Sequence, residues 1–396
     1  MKVLIADKLA AATVKQLEAL GCQVSSQPEL NAETLAAVIT DFDVLVVRST
    51  QVSAATIEAG KALSLIIRAG AGVNTIDLAA ASQRGIHVTN CPGKNTEAVA
   101  ELAIGLLISA DRRIAQASAD LQQSAWKKGE YGKARGLKGR TLGLIGLGNI
   151  ARAVLVRAQG LEMNVVAWSR SLTPELAETL GITRATSPLE VAAQADAVSL
   201  HVAYAKNATH HLIDATFLAA MKQGAILINT ARGEIVDTLA LKAAIRAKGL
   251  RVGLDVFEGE PKASSDTFPD AELAQLAVCT PHIGASTDQA SEAIADETVR
   301  IVQSFIETGL PRNVVNVRTK PATTLGMVVR HYNRVGVLAT VLDALKAHGI
   351  NVEEMQNTIF EGGAAATCSL RLNQPPPPAV LAQLSGLPEI LQVSTH

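Results

Sequence analysis

The stretch Gly143-Leu144-Ile145-Gly146-Leu147-Gly148-Asn149-Ile150-Ala151 decides the fold of this chain. It continues the apolar run Thr141–Ile145, which is typical of a buried strand, and it leads into a helical pattern. Its spacing matches G-x-G-x-x-[G/A], in which the first glycine permits a tight turn and the second lets the backbone approach a pyrophosphate. The helix N-terminus that follows offers free N–H groups to phosphates. We therefore predict a dinucleotide site rather than a glycine-rich structural turn, with contacts from Gly146, Gly148, Asn149 and Ile150.

The residues after the next predicted strand leave the cofactor open between NAD and NADP. Val165–Trp168 is that strand, and NAD-specific sites usually carry Asp or Glu at its end. Ser169 and Arg170 stand there instead. Ser169 does not repel a 2′-phosphate and Arg170 could pair with one, whereas a solvated Arg170 would be compatible with NAD. We expect both residues at the cofactor and leave the preference unresolved.

Short β-branched runs alternate with helical patterns before residue 310, which is the signature of parallel α/β sheets. We therefore expect two Rossmann-like, doubly wound lobes. The first has predicted strands at Val3–Ala6, Val44–Val47, Leu65–Arg68 and His87–Thr89, and the second, besides the two already named, at Ala197–Leu200, Ala225–Asn229, Val252–Asp255 and Val278–Thr280. Predicted helices include Glu97–Leu107, Pro174–Leu180, Thr238–Lys248 and Thr287–Glu307, the last returning to the first lobe.

The pattern changes after Arg318-Thr319-Lys320-Pro321, which we interpret as a linker. Beyond it the order strand, helix, strand, strand, helix, strand predicts a ferredoxin-like βαββαβ module. Its predicted elements are Thr324–Arg330, Val335–His348, Val352–Phe360, Ala365–Leu372, a short helix after Pro375–Pro378, and a strand near Ile390–Val393.

Composition excludes several classes of partner. The 396 residues carry 36 basic and 37 acidic side chains, a formal charge of -1, which argues against nucleic acid or an anionic membrane. The four cysteines form no CxxC pair, so we expect no metal site and no disulfide framework. The longest apolar run, Leu102 to Ala110, is too short for a membrane span. We expect a cytoplasmic protein, with Cys91 in packing and His210-His211 on the surface.

Three polar residues each follow a predicted strand at the edge where ligands bind in open α/β sheets: Arg232, Glu260 and His282. An imidazole can take a hydroxyl proton near neutral pH. A carboxylate on its other nitrogen fixes the tautomer, and an arginine grips a substrate carboxylate. Beside a nicotinamide, this set predicts oxidation of a 2-hydroxy acid, although each residue alone could be a solvated loop residue.

These motifs resemble those of the D-isomer-specific 2-hydroxyacid dehydrogenase family. Besides the glycine fingerprint, the matching strings are Asn229-Thr230-Ala231-Arg232-Gly233, Gly253-Leu254-Asp255-Val256-Phe257 and Thr280-Pro281-His282-Ile283-Gly284-Ala285-Ser286-Thr287. The resemblance implies that Arg232 binds substrate, that His282 is the acid/base and that Glu260 is its partner. It also implies residues around the nicotinamide half of the cofactor, namely Thr230, Ala231, Asp255, His282 and Gly284.

The first lobe favours a phosphorylated 2-hydroxy acid as the substrate. Arg48 and Arg68 end two predicted strands, where two cations suit a phosphate unless local carboxylates pair with them. The surrounding strings are similar to those of family members that act on such a substrate. The predicted substrate contacts are Arg48, Ser49, Arg68, Gly70, Gly72, Val73 and Arg232. The alternatives are a glyoxylate or hydroxypyruvate reductase, and a non-catalytic protein that senses a dinucleotide or an amino acid.

The C-terminal string His331-Tyr332-Asn333-Arg334-Val335-Gly336-Val337-Leu338, followed by Gly349-Ile350-Asn351, resembles an ACT domain. The resemblance implies an L-serine effector at His331, Asn333, Gly336 and Asn351, although a dimerisation module without a ligand is the alternative. We also expect a homo-oligomer. The expected domains are substrate-binding (1–94 with 289–318), dinucleotide-binding (95–288) and regulatory (320–396).

Overall fold

The computed structural model describes residues 1–261, 267–318 and 325–396. It divides into two compact units, Met1–Val317 and Arg318–His396. Thr319, Lys320 and Pro321 of the predicted linker lie outside the described residues, as does Thr324 of the predicted strand. Among the described residues, none of the helices has the length and hydropathy that crossing a membrane requires.

The first sheet is parallel, because its strands are joined by crossover helices. Its order, β2-β1-β3-β4-β5, is that of a flavodoxin-like doubly wound sheet. Val47 pairs with Arg68 across neighbouring strands, so Arg48 and Arg68 reach the same edge. The strands are β1 (Lys2–Ile5), β2 (Gln23–Ser26), β3 (Val44–Val47), β4 (Leu65–Arg68) and β5 (His87–Asn90), and the helices are α1 (Ala11–Ala19), α2 (Leu35–Val38), α3 (Ala54–Ala59) and α4 (Leu78–Gln83).

The second sheet is also parallel and has the Rossmann order β12-β11-β10-β9-β6-β7-β8. The strand order reverses beside β6, at whose end the glycine fingerprint lies. The strands are β6 (Thr141–Ile145), β7 (Asn164–Trp168), β8 (Thr183–Arg184), β9 (Ala197–Leu200), β10 (Ile226–Asn229), β11 (Arg251–Leu254) and β12 (Val278–Cys279). The helices are α5 (Thr96–Arg112), α6 (Ile114–Gln122), α7 (Lys128–Tyr131), α8 (Asn149–Gly160), α9 (Pro174–Thr179), α10 (Pro188–Gln194), α11 (Ala215–Ala220), α12 (Thr238–Lys248) and α13 (Ala271–Leu276).

A long helix, α14 (Asp288–Thr308), leads the chain back from the second sheet to the first. Its apolar face, which includes Ile294 and Ile301, shares a core cluster with Val3 on β1. The residues after it pair with β5, where the side-chain oxygen of Asn316 accepts the Val88 N–H at 2.8 Å. The chain therefore crosses between the two sheets twice, and their carboxyl edges meet within one compact unit.

The C-terminal unit is an antiparallel sheet of order β14-β15-β13-β16 with two helices, the ferredoxin-like arrangement. The predicted fold class is thus confirmed. The first helix begins two residues later than predicted, because Gly336 has φ 90° and caps it while Val335 stays outside. The elements are β13 (Leu325–Tyr332), α15 (Val337–Ala347), β14 (Val352–Ile359), β15 (Ala365–Leu372), α16 (Pro378–Ser385) and β16 (Ile390–Thr395).

Candidate active site

The structure brings two of the three predicted catalytic residues into direct contact. Nδ1 of His282, after β12, lies 2.7 Å from Oε2 of Glu260, after β11. The other Glu260 oxygen accepts the Phe257 N–H at 3.0 Å, which fixes the carboxylate in its own loop. Nε2 of His282 makes no hydrogen bond to the described residues, so it is free to face a reacting hydroxyl.

Glu260 is held in its ionised form. Burial alone would raise the pKa of this carboxyl, but the hydrogen bond and charge of His282, the Phe257 N–H and the charge of Arg232 together lower the pKa below its usual value. An ionised carboxylate at Nδ1 requires that nitrogen to donate. The arrangement therefore leaves Nε2 as the nitrogen that exchanges a proton.

The loop that carries His282 is strained and is held by Asp255. His282 has φ 52°, in the left-handed region that a β-carbon disfavours. Asp255 is 1% exposed and accepts the Thr280 hydroxyl at 2.6 Å, the Ile283 N–H at 2.8 Å and the Gly284 N–H at 2.9 Å. The carboxylate of Asp255 is thus occupied by this loop. The expected contact of Asp255 and Gly284 with the nicotinamide half of a cofactor stays a prediction, and the hydrogen bond between these two residues is part of what holds the loop.

Two guanidinium groups meet at the glycine loop after β4. A Cβ on Gly70 would overlap Nη1 of Arg68, and a Cβ on Gly72 would overlap Nη2 of Arg232. A larger residue at either position would displace a guanidinium from the place that it has here. Arg232 follows β10 in the second sheet, so this contact joins the two sheets at their carboxyl edges.

The pKa of Arg68 reflects the positive charges that surround it. Burial, followed by the charges of Arg232 and Arg48, lowers its pKa to about 10. Its Nε is buried and has no hydrogen-bond partner among the described residues. No carboxylate in the described ranges forms an ion pair with Arg48, Arg68 or Arg232. Direct pairing with local carboxylates, the alternative for Arg48 and Arg68, is therefore not observed among the described residues, and the charge of Asp7 opposes the lowered pKa of Arg68 only as its smallest contribution.

Asp7 positions Arg48 and was not anticipated from the sequence. Its Oδ2 accepts the backbone N–H groups of Arg48 at 2.6 Å, Ser49 at 3.0 Å and Thr50 at 3.0 Å. The N–H of Ser49 is thereby occupied, which leaves its exposed side chain as the part that could reach a substrate. Val73 closes the neighbouring loop, where its carbonyl accepts the Ile76 N–H at 3.1 Å.

With this geometry in place, comparison with known proteins gives consistent results. Residues 104–284 match the model of the D-isomer specific 2-hydroxyacid dehydrogenase, NAD binding domain. A hydroxypyruvate reductase of Thermotoga maritima is 39% identical over 306 residues, which cover 77% of this chain and 96% of that protein. The chain belongs to the D-isomer-specific 2-hydroxyacid dehydrogenase family.

Two further comparisons extend this family assignment. A D-3-phosphoglycerate dehydrogenase of Methanocaldococcus jannaschii is 36% identical over 92% of this chain. The chain spans 68% of the length of that protein, and 59% and 58% of the length of the phosphoglycerate dehydrogenases of Archaeoglobus fulgidus and Mycobacterium leprae. The crystal structure of the TT0316 protein from Thermus thermophilus superposes with a TM-score of 0.72, at 35% identity, over 80% of this chain and all of that one.

The glycine fingerprint of this chain fits a dinucleotide. Gly148 caps α8 without a side-chain hydrogen bond, and nothing lies within 4 Å of where its Cβ would be. The N–H groups of Asn149 and Ile150 donate to no described residue, so they are available to a phosphate. Thr230, after β10, has a buried hydroxyl with no partner among the described residues, and Ala231 follows it. The predicted NAD-type cofactor is confirmed by the family.

Ser169 and Arg170 follow β7 directly, where NAD-specific sites carry an acid. The Ser169 hydroxyl lies 3.3 Å from that of Ser171, and Arg170 is exposed. Neither residue brings a negative charge to this corner of the site. Its chemistry therefore accommodates NAD and NADP alike.

A second histidine–carboxylate pair lies beside the first. Nε2 of His211 is 2.6 Å from Oε1 of Glu258, and its ring stacks on His210 at 4.0 Å. His211 therefore lies at the surface, as expected, but its side chain is paired with Glu258. The sequence gives only a weak indication of the His211–Glu258 pair, because the two residues are 47 positions apart. Cys91, in contrast, is fully buried against Thr298, and burial raises the pKa of its thiol, as suits a packing residue.

In the C-terminal unit, three of the four predicted effector residues are open and one is not. Asn333 and Asn351 are exposed, and Gly336 caps α15. His331 is 2% exposed and faces the core like Met327 and Val329, because alternate residues of β13 point inward. Its ring nitrogens contact the Tyr332 carbonyl at 2.8 Å and the Asn357 amide oxygen at 3.2 Å. A ligand would have to displace these contacts to reach it.

Proposed function

We propose that the chain is a D-3-phosphoglycerate dehydrogenase, which reversibly oxidises D-3-phosphoglycerate to 3-phosphohydroxypyruvate and so begins L-serine biosynthesis. The observation that carries this proposal is the cluster of Arg48, Arg68 and Arg232, in which no described carboxylate forms an ion pair with any of the three. A 2-hydroxy acid with one carboxylate needs one arginine. A phosphate at the other end of the substrate accounts for the remaining two.

The proposed roles follow from the positions of the groups. Nε2 of His282 takes the hydroxyl proton during oxidation and returns it during reduction, while Glu260 stabilises the imidazolium that forms. Arg232 binds the substrate carboxylate and polarises the forming carbonyl. A nicotinamide dinucleotide held at the fingerprint by Gly146, Gly148, Asn149 and Ile150 would supply the acceptor for the hydride that leaves C2. In these roles the first lobe, residues 1–94 with 289–318, binds substrate and residues 95–288 bind the cofactor.

A second candidate is a hydroxypyruvate or glyoxylate reductase. The T. maritima hydroxypyruvate reductase is matched over 96% of its length by this chain, at an identity as high as that of the phosphoglycerate dehydrogenases. Ser169 with Arg170 would also suit a reductase that uses NADPH. The three arginines favour the phosphorylated acid over this candidate.

A substrate comparison separates the two candidates. We expect kcat/KM for 3-phosphohydroxypyruvate to exceed that for hydroxypyruvate about a hundredfold, roughly 2.7 kcal/mol, in an assay that follows NADH and NADPH at 340 nm. Arg68→Ala should remove most of this advantage and spare hydroxypyruvate. Arg135→Ala, which removes an exposed arginine of the second lobe, is the matched control. Equal losses for both substrates in Arg68→Ala would show that Arg68 does not bind the phosphate, and an equal or reversed preference in the wild type would assign the protein to the reductases.

We further propose that the C-terminal unit is an ACT-type regulatory domain in a cytoplasmic homo-oligomer. Asn333 and Asn351 offer amide donors and acceptors, and the N-terminus of α15 at Gly336 suits the carboxylate of L-serine. Exposed apolar side chains such as Trp126 and Phe360 are surfaces that self-association would cover. Calorimetric titration of the full chain with L-serine tests the effector, and light scattering tests the oligomer.

A further inference from the structure

Glu258 connects three segments that surround the candidate active site. One carboxylate oxygen lies 2.6 Å from Nε2 of His211, in the segment after β9. The other accepts the N–H of Thr238 at 3.1 Å, at the first turn of α12. Glu258 itself belongs to the loop after β11, two residues before Glu260. A single side chain thus ties this loop to two neighbours.

The loop after β11 also contacts Gly233, the residue that follows Arg232. A Cβ on Gly233 would overlap the backbone of Phe257 and Glu258. The backbone at these two positions is therefore in direct contact with the segment that carries the Arg232 guanidinium. Since Phe257 also donates its N–H to Glu260, a shift at Glu258 would move both the carboxylate partner of His282 and the backbone beside Arg232.

The backbone of His211 is strained and is held by a hydrogen bond. Its φ is 49°, in the left-handed region, and its N–H donates to the Glu234 carbonyl at 2.9 Å. The segment that ends here begins at His201, whose carbonyl oxygen lies 2.6 Å from where a Cβ of Gly146 would be. The segment from 201 to 211 therefore runs from the glycine fingerprint to Glu258.

The charge of Glu258 favours a stable hydrogen bond from His211. Burial alone would raise the pKa of Glu258, but the hydrogen bonds from His211 and Thr238 outweigh it and lower the pKa. Glu258 is therefore ionised near neutral pH and His211 donates from Nε2. Both side chains are about one-third exposed, so neither is an ordinary core residue.

We propose that Glu258 and His211 form a positioning pair. The pair holds the 257–260 loop in place, so that Glu260 stays in contact with His282 and the loop backbone stays beside the segment of Arg232. This inference rests on the proposed roles of His282 and Glu260. Neither Glu258 nor His211 touches the reacting atoms, and their effect passes through the 257–260 backbone. The pair is distinct from the catalytic Glu260–His282 contact, although it uses the same two side-chain types.

The test compares Glu258→Ala, His211→Ala and the double variant with wild type in keto-acid reduction. We expect kcat to fall about 10- to 100-fold in each single variant, because misplacing a catalytic group by about an ångström costs that much. The dissociation constant for NADH, measured by fluorescence, should change less than about threefold. The double variant should be no slower than the singles, because one contact is lost in all three.

A pH profile separates positioning from simple loss of folded protein. Weaker support from Glu260 destabilises the imidazolium, so the basic limb of kcat/KM should move to lower pH in Glu258→Ala. The charged groups that face the Glu260–His282 pair, including Arg232, are unchanged in these variants. Glu190→Ala is the matched control, since its carboxylate accepts the Thr186 N–H at 2.7 Å in the same lobe, away from the site.

The outcomes distinguish this inference from the proposed function. If Glu258→Ala resembles Glu190→Ala in kcat and pH profile, or if the losses in the double variant are additive, the inference is wrong. Glu258→Gln, which keeps the shape of the side chain, answers the same question if the alanine variant does not fold. If His282→Asn retains wild-type turnover, the proposed function fails instead, whatever Glu258 does.

Discussion

Nδ1 of His282 faces an ionised carboxylate, and this contact leaves Nε2 as the ring nitrogen that can face a substrate. Glu260 lies 2.7 Å away, and its pKa is lowered despite its burial. A carboxylate at this distance favours the imidazolium over the neutral ring. The pair is therefore suited to hold the proton during reduction and to accept it during oxidation.

Glu260→Gln should shift the pH dependence of the reaction. The amide can still accept from Nδ1 but carries no charge, so it stabilises a positively charged His282 ring less than the carboxylate does. In keto-acid reduction, the basic limb of kcat/KM should therefore move to lower pH, with kcat reduced about 10²- to 10⁴-fold. Stopped-flow measurement across the pH range checks this. An unmoved limb would mean that another group controls the protonation of His282.

Single residues differ in how far the sequence predicts them. Glu260 and His282 were paired from residue type and from their positions after strands. The sequence does not assign the contacts of Asp7 with Arg48 and of His211 with Glu258, because these contacts join residues that are 41 and 47 positions apart. Only the folded chain brings such partners together, and carboxylates in loops are too common to single out without it.

At the scale of elements, the N-terminus of α8 is open where a phosphate would bind. Gly148→Ala should leave folding intact, because no described atom lies within 4 Å of the added methyl group. The methyl would instead occupy the surface that a pyrophosphate approaches, so we expect the dissociation constant for NADH to rise at least about tenfold. Gly160→Ala, at the other end of the same helix and equally unobstructed, is the matched control. An equal affinity in both variants would exclude the α8 N-terminus as the phosphate site.

The loop after β12 depends on a single buried carboxylate. Asp255→Asn replaces one acceptor oxygen with an NH₂ group that faces the N–H or O–H donors of the loop. We expect a loss of about 1–3 kcal/mol in the free energy of unfolding and a lower kcat, because His282 needs this support for its left-handed backbone. Urea denaturation with parallel kinetics measures both. Asp77→Asn, at a helix N-cap where Asn serves equally well, should change little.

Strands that are buried on both faces follow from the sequence with their bounds, whereas two of the edge strands do not follow from it. Val44–Val47, Leu65–Arg68 and Thr141–Ile145 have the predicted bounds, because continuous apolar runs occur where both faces of a strand are covered. The edge strands β2 and β8 were not predicted. Gln23–Ser26 has one strongly apolar residue, and Thr183–Arg184 is two residues long, so neither carries a pattern.

For the whole molecule, the division at Val317 separates the candidate active site from the C-terminal unit. Both sheets, the three arginines and the Glu260–His282 pair lie before it. Val315, whose N–H donates to the Val88 carbonyl at 2.8 Å, and Asn316 complete the edge of β5 just before the division. The first unit thus contains every residue that we assign to the reaction.

A fragment of residues 1–317 should therefore fold and turn over substrate at a rate within about threefold of the full chain, because no catalytic interaction is removed. L-serine should slow the full chain and have no effect on the fragment, since the proposed effector residues are absent from it. A fragment that ends at residue 311 is the matched control. It should be less stable to urea, because the bonds that Asn313, Val315 and Asn316 make to β5 are lost. A folded 1–317 fragment without turnover would show that the C-terminal unit is needed for the reaction itself.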